Sequence, residues 1–319
     1  MMLSASALIG LGGGIGFLAA QDSTPFSASE DTRLNEINRL IDARDLTAAR
    51  RLLADEVASR GEIYQTFFLE AKILFREGKY RESLKTLERA LLLNQRDAEV
   101  YKLVASNAIL VNRMDIAEQA LKSASQLASA DYLIYFNLGA LYYTDSRFPS
   151  ALPVLEKSVT LNPDYVPAQL FLGLTLEELD QEGSAADFYR RAIELAERSG
   201  FKGEQPYLYL GRLLYRQNKL NESLPNLQKA TKANPQSCES WCLLSRIYSA
   251  QAQETNSVIA LNQCIAADPK CSEAHYLLSR AYVKQGQTDA AAKELSLFQE
   301  LRKTEQNRKD PRKNQRANQ

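Results

Sequence analysis

The feature that most constrains this chain is a pattern of apolar residues that recurs every 34 positions. Its clearest copy spans 132–165, where apolar or small residues fall three, four and seven positions apart: Tyr135, Leu138, Gly139 and Tyr142. This spacing is typical of one face of an amphipathic helix. A second apolar face follows from Phe148 to Val159, and Asn162-Pro163 ends it. The segment therefore predicts a helix, a turn and a second helix.

The same places are filled by similar residues along most of the chain. From the second unit onward the place of Gly139 is small: Ala71, Ala105, Gly173, Gly211, Ser245 and Ser279. The place of Tyr135 carries a ring: Phe67, Tyr101, Tyr207, Trp241 and His275. This register divides the chain into eight units, of which the fifth is four residues longer than the others because of the loop before Tyr207: 30–63, 64–97, 98–131, 132–165, 166–203, 204–237, 238–271 and 272–305. Repetition of this length predicts an all-α array of paired helices over 30–305, without a strand.

These residues resemble the tetratricopeptide repeat, in which the first helix carries an aromatic residue, Leu-Gly and a second aromatic residue. The best match is Tyr135-x2-Leu138-Gly139-x2-Tyr142, followed by Ala151-x3-Leu155 and Pro163. The resemblance implies a right-handed α-solenoid of stacked helix-turn-helix hairpins. It also implies that the first helices line a concave groove and the second helices form the convex back. Small residues let two helices approach closely, and stacking builds a core from nearest-neighbour contacts.

Composition and motifs argue against catalysis and against nucleic-acid binding. The 319 residues carry 39 Lys and Arg against 39 Asp and Glu, so no net charge attracts a polyanion. The one histidine, His275, stands at an aromatic place of the repeat, which favours a packing role over that of a base. Neither HExxH nor GxSxG occurs. The sequence therefore predicts a protein that is not an enzyme, holds no cofactor and binds no nucleic acid.

The cysteines raise the question of a metal site. Cys238-x3-Cys242 and Cys271-x3-His275 supply three thiols and one imidazole, which are zinc ligands. Adjacent helices, however, lie about 8–10 Å apart, whereas zinc–sulfur bonds are about 2.3 Å long, and we expect Cys242 to face the groove. Cys264 occupies a buried alanine place. These arguments predict no metal site and buried free thiols. A disulfide within the cluster is the alternative for an exported chain.

A row of arginines marks the predicted groove, because the same groove-facing place recurs at intervals of 34. The predicted partner-binding residues are Arg212, Tyr215, Arg216, Arg246, Tyr276, Arg280 and Lys284. Guanidinium groups bind carboxylates bidentately, so the row predicts a protein or peptide ligand of acidic character. The alternative is that Glu239 and Glu273, on the same face two turns earlier, neutralise the arginines.

The two ends of the chain differ from the repeats. Residues 1–20 contain no charged side chain and end in Ala19-Ala20. They predict a signal peptide and hence export to the periplasm or beyond the cell. The alternative is an uncleaved membrane anchor over the same residues. Residues 21–29 predict a polar linker, and 306–319 predict a basic disordered tail.

The leading functional hypothesis is a non-enzymatic scaffold that binds a peptide or protein in the groove, in the assembly or secretion of envelope components. The rival is an envelope-tethered adaptor that acts at anionic surfaces through its basic tail. A third, weaker hypothesis is a subunit of a multi-domain enzyme complex in which a partner chain carries the catalysis.

Overall fold

The computed structural model describes residues 32–309, and this range folds into sixteen α-helices with no β-strand. The helices are α1 Thr32–Asp42, α2 Leu46–Arg60, α3 Tyr64–Arg76, α4 Tyr80–Leu93, α5 Ala98–Leu110, α6 Met114–Leu127, α7 Tyr132–Thr144, α8 Phe148–Leu161, α9 Val166–Glu178, α10 Glu182–Ser199, α11 Gln205–Arg216, α12 Leu220–Ala233, α13 Cys238–Ala250, α14 Glu254–Ala267, α15 Ser272–Lys284 and α16 Thr288–Lys309. Each predicted unit contributes two successive helices. The prediction of an all-α helical repeat is confirmed.

One backbone feature recurs in the turn inside every unit. The second residue after the first helix has a φ between 56° and 78° at eight places: Arg44, Gly78, Asn112, Ser146, Asp180, Asn218, Ala252 and Gly286. In the first unit the N–H of Arg44 donates to the carbonyl of Ile41, and the N–H of Asp45 donates to that of Leu40. These bonds close the last helical turn and reverse the chain. Most of the eight are Gly, Asn or Asp, which tolerate the left-handed region best.

The two helices of a unit approach most closely at the small places. A Cβ atom added to Gly139 would lie 2.6 Å from Leu155 Cδ2 and still closer to Leu155 Cγ. In a later unit the hydroxyl of Ser223 on the second helix donates to the carbonyl of Gly211 on the first, at 2.6 Å. The small side chains are therefore needed for contact between the helices, as the repeat pattern predicts.

Packing divides the chain into two compact units, with the division between Gln181 and Glu182. The first compact unit contains α1–α9. Within it, edge-to-face contacts link Phe136 to Tyr165 and Phe171. The second unit contains α10–α16. Its core at α13–α15 consists of Cys242, Leu261, Cys264, Ala274, Leu278 and Ala281. The division lies in the turn between the two helices of the predicted repeat 166–203.

The last helix, α16, continues to Lys309 and so includes the first residues of the predicted disordered tail 306–319. No Gly or Pro interrupts 299–309, and Pro311 is the first residue that forbids helix continuation. The predicted signal peptide or anchor 1–20, the linker 21–29 and the rest of the tail lie outside the described residues. Within 32–309 no helix is both long enough and apolar enough to span a membrane.

Candidate binding face and cysteine cluster

The predicted binding residues lie in the second compact unit, on the first helix of each of its last three repeats: α11, α13 and α15. A cavity of about 180 Å³ opens between these helices, and four of the predicted residues line it: Tyr215, Arg246, Arg280 and Lys284. Hydroxyl groups complete its polar lining: Ser245, Ser249 and Ser257. The other three predicted residues lie on the same helices outside this lining: Arg212, Arg216 and Tyr276. We call this space and its lining the arginine cavity.

Two arginines of the row are paired with a glutamate of the next repeat. Arg212 Nη1 lies 3.4 Å from Glu239 Oε1, and Arg246 Nη2 lies 2.7 Å from Glu273 Oε1. Burial lowers the pKa of Arg246, but Glu273 and Tyr215 together outweigh burial, so the pKa is raised and the guanidinium stays charged. The two glutamates thus lie against the arginines, as in the alternative that the sequence left open.

The two cations one turn further along the helices are also paired. Arg216 Nη2 lies 2.5 Å from Glu182 Oε1, and Lys284 Nζ lies 2.7 Å from Glu254 Oε1. Hydrogen bonds from Gln217 and Arg216 lower the pKa of Glu182, so its carboxylate is ionised at neutral pH. These carboxylates compensate most of the positive charge on this face.

Arg280 differs from the other cations of the arginine cavity. The glutamate that pairs with Arg212 or Arg246 stands 27 residues after that arginine. The residue 27 positions after Arg280 is Asn307, which has no carboxylate. Among the residues that the structure describes, Arg280 has no carboxylate partner, and its guanidinium carbon lies 5.9 Å from the ring centroid of Tyr276. The side chain is exposed. Arg280 can therefore receive a ligand carboxylate without giving up an ion pair.

The four cysteines come together in the second compact unit: Cys238, Cys242, Cys264 and Cys271. Their Sγ atoms all lie within 4.8 Å of one another. Cys238 and Cys264 form a disulfide, and Cys242 Sγ lies 3.6 Å from Cys264 Sγ. The expectation that helix spacing keeps these sulfurs apart is wrong, and so is the groove-facing orientation of Cys242, which is buried in the core. The reason is that side chains from three helices converge at one end of the hairpin.

The two free thiols of the cluster titrate differently. Cys242 and Cys271 share a hydrogen bond, which lowers the pKa of Cys271 to about 7. The same hydrogen bond, together with burial, raises the pKa of Cys242. Cys271 is therefore the more readily ionised of the two.

His275 does not belong to the cysteine cluster. Its Nδ1 lies 2.6 Å from Glu294 Oε2, and its Nε2 lies 3.1 Å from the carbonyl oxygen of Pro269. The ring is buried, with both nitrogens in hydrogen bonds. The set of three cysteines and one histidine considered from the sequence is thus replaced by a set of four cysteines.

Family models described as "Tetratricopeptide repeat" match three stretches of the chain, residues 136–199, 239–271 and 260–306. The chain is a tetratricopeptide repeat protein. This tetratricopeptide repeat chain is similar in fold to the solved APC/C hetero-tetramer Cut9-Hcn1, with a TM-score of 0.62 and 16% identity, over 80% of this chain and 49% of the other. It is also similar to PilF of Pseudomonas aeruginosa, with a TM-score of 0.57 and 16% identity, over 66% of this chain and 94% of the other.

Among curated proteins, the chain is 21% identical over 243 residues to the "BBSome complex member BBS4 homolog" of Drosophila melanogaster. The match covers 62% of this chain and 49% of that protein. A cell division cycle protein 27 homolog of Caenorhabditis elegans is 26% identical over 124 residues, 39% of this chain and 15% of that protein. The chain thus spans about half or less of the length of the curated relatives it matches. These similarities support a protein–protein interaction scaffold.

Proposed function

We propose that this protein is a non-enzymatic scaffold that binds an acidic peptide, or an acidic segment of a protein partner, at the arginine cavity. The tetratricopeptide repeat fold supports a role in protein–protein interaction. The observation that carries the proposed site is Arg280, an exposed guanidinium at the cavity with no carboxylate partner among residues 32–309.

Arg280 is the anchor, since the neighbouring cations are already occupied. A ligand carboxylate that approached Arg246 would first have to displace Glu273, and one that approached Lys284 would have to displace Glu254. At Arg280 a bidentate pair forms without that exchange. The hydroxyls of Ser245 and Ser249 already donate within the protein, so toward a ligand their oxygens serve as acceptors for N–H or O–H groups. The cavity therefore favours a ligand with one well-placed carboxylate and polar neighbours.

Fluorescence anisotropy with the full chain tests the proposal. The probe is a fluorescein-labelled decapeptide of alternating Glu and Ser, and its control peptide has Gln in place of each Glu. We expect Arg280→Ala to weaken binding of the Glu peptide about 10- to 100-fold, because a hydrogen bond to a charged group contributes about 1.5–3 kcal/mol. We expect Arg246→Ala to have a smaller effect, because in the wild type Arg246 is paired with Glu273 rather than with the ligand.

Arg302→Ala is the matched control. Arg302 is exposed, and its guanidinium carbon also lies 5.9 Å from an aromatic centroid, that of Phe298, but it does not line the arginine cavity. This variant removes the same charge and the same kind of ring contact, and it leaves binding unchanged. Equal weakening in both variants would show attraction to net charge alone. Equal binding of the Glu and Gln peptides by wild type would remove the acidic ligand from the proposal.

We propose further that the scaffold is exported and serves in envelope assembly or secretion. The support for this location is the uncharged apolar run 1–20 that ends in Ala19-Ala20.

A further inference from the structure

We propose that the four clustered cysteines, in their reduced state, form a tetrathiolate site for Zn²⁺. A tetrahedral site with Zn–S bonds of about 2.3 Å places its sulfur atoms about 3.8 Å apart. All four Sγ atoms lie within 4.8 Å of one another, and the Cys242–Cys264 separation is 3.6 Å. The sulfurs are therefore within small side-chain rotations of a zinc tetrahedron.

The backbone elements deliver the four ligands from different directions. Cys238 and Cys242 lie one turn apart on α13 and share a face of that helix. Cys264 extends from α14, and Cys271 precedes the first residue of α15. A bound ion would therefore tie α13 and α14 to the N-cap of α15, the helix that begins the repeat 272–305.

The chemistry of the donor set selects a soft or borderline cation. All four donors are sulfur, whereas calcium and magnesium require oxygen ligands. The ring nitrogens of His275 are held by Glu294 and Pro269, so they do not compete for a coordination position. Cys242 and Cys264 are buried among apolar side chains, and Cys238 and Cys271 are partly buried, so much of the site is shielded from water. This is the closed arrangement of a structural zinc site rather than of a catalytic one.

Two helix N-termini face the charge that such a site carries. Four thiolates around one Zn²⁺ have a net charge of minus two. Cys238 is the first residue of α13, and Cys271 is the N-cap residue of α15. The partial positive charge at a helix N-terminus stabilises an anion there, and it stabilises a cysteine thiolate in particular.

Metal binding and the Cys238–Cys264 disulfide exclude each other. A dithiol reductant supplies two electrons and two protons to the S–S bond, which breaks into two Cys–SH groups, while the dithiol closes into its own disulfide. The four thiols then lose four protons, and four Zn–S bonds form. The cluster thus has an oxidised form that holds one disulfide and a reduced form that holds zinc.

The test uses the full chain, unfolded and reduced with dithiothreitol and refolded without oxygen beside one equivalent of Zn²⁺ or Co²⁺. We expect one zinc per chain after gel filtration, measured by mass spectrometry of the metal. With Co²⁺ we expect the visible bands of a tetrahedral ion and the near-ultraviolet charge-transfer band of thiolate ligands. Cys264→Ser should lose stoichiometric metal, while His275→Gln, in the same pair of repeats, should retain it.

Wild type decides the proposal even if a cysteine variant fails to fold. A refolded wild-type chain with four titratable thiols and no retained zinc would overturn the site. A zinc-loaded chain that closes the Cys238–Cys264 disulfide on addition of oxidised glutathione and still retains its metal would do the same. Loss of metal in His275→Gln, or full retention in Cys264→Ser, would show that a different ligand set holds the ion.

Discussion

Replacing Gly139 with alanine tests the close approach of α7 and α8. The added Cβ would lie 2.6 Å from Leu155 Cδ2 and closer still to Leu155 Cγ, whereas carbon atoms in good contact lie about 3.5–4.0 Å apart. Leu155 is fully buried, so its branch has no solvent to move into. Overpacking of this kind costs about 1–3 kcal/mol, and the better helix propensity of alanine returns about 1 kcal/mol.

We therefore expect Gly139→Ala to destabilise the α7–α8 hairpin by up to about 2 kcal/mol. Gly211→Ala should cost less, because its Cβ would lie 2.8 Å from Leu227 Cγ. Gly183→Ala is the control, since Gly183 is helical and its Cβ would meet nothing within 4 Å. That substitution should stabilise α10 by up to about 1 kcal/mol.

Repeat arrays can unfold in parts, so the readout must be local. Native-state hydrogen exchange of the peptides that cover α7 and α8 gives the free energy of opening for that hairpin. Combining Gly139→Ala with Leu155→Ala makes a double-mutant cycle, in which the leucine truncation should cost less in the alanine background than in wild type. Equal stability of Gly139→Ala and Gly183→Ala, or strict additivity in the cycle, would refute the close-contact explanation.

Two further predictions concern pH and the N-terminus. Burial raises the pKa of Glu118, but hydrogen bonds from Arg147, Lys122 and Tyr142 outweigh it and lower the pKa from 4.5 to about 2, so this contribution to stability is complete above pH 4.5 and declines as the pH falls toward 2. In urea unfolding, the advantage of wild type over Glu118→Gln should therefore be larger at pH 6 than at pH 3, and an unchanged difference would contradict the assignment. For the N-terminus, Edman sequencing of protein from its native host should find a chain that starts close to residue 21, and an intact Met1 in a soluble cytoplasmic fraction would refute export.

The helices and their pairing follow from the sequence because both depend on local spacing. Residues such as Tyr135, Leu138 and Gly139 share a face wherever a helix forms, so their recurrence predicts the hairpin and the small contact place. The left-handed turn place was also visible in the sequence, since Gly78, Asn112 and Asp180 stand 34 and 68 residues apart. The sequence also distinguishes Arg280 as the arginine without a glutamate partner, because the residue 27 positions after it is Asn307 rather than glutamate.

The partners of the charged residues and the position of the sulfurs were decided by tertiary structure. The sequence places Arg246 and Glu273 on similar faces, but only the stacking of α13 against α15 brings them to 2.7 Å. The cysteine cluster shows the same limit more sharply. The spacing of helix axes, about 8–10 Å, argues against placing four ligands within about 2.3 Å of one zinc ion, yet the four Sγ atoms lie within 4.8 Å of one another. Axis spacing describes backbones, whereas each side chain reaches from its backbone toward the neighbouring helix. Periodicity in one chain therefore predicts the helices and their pairing, whereas packing determines where a side chain such as Cys242 lies and which atoms it meets.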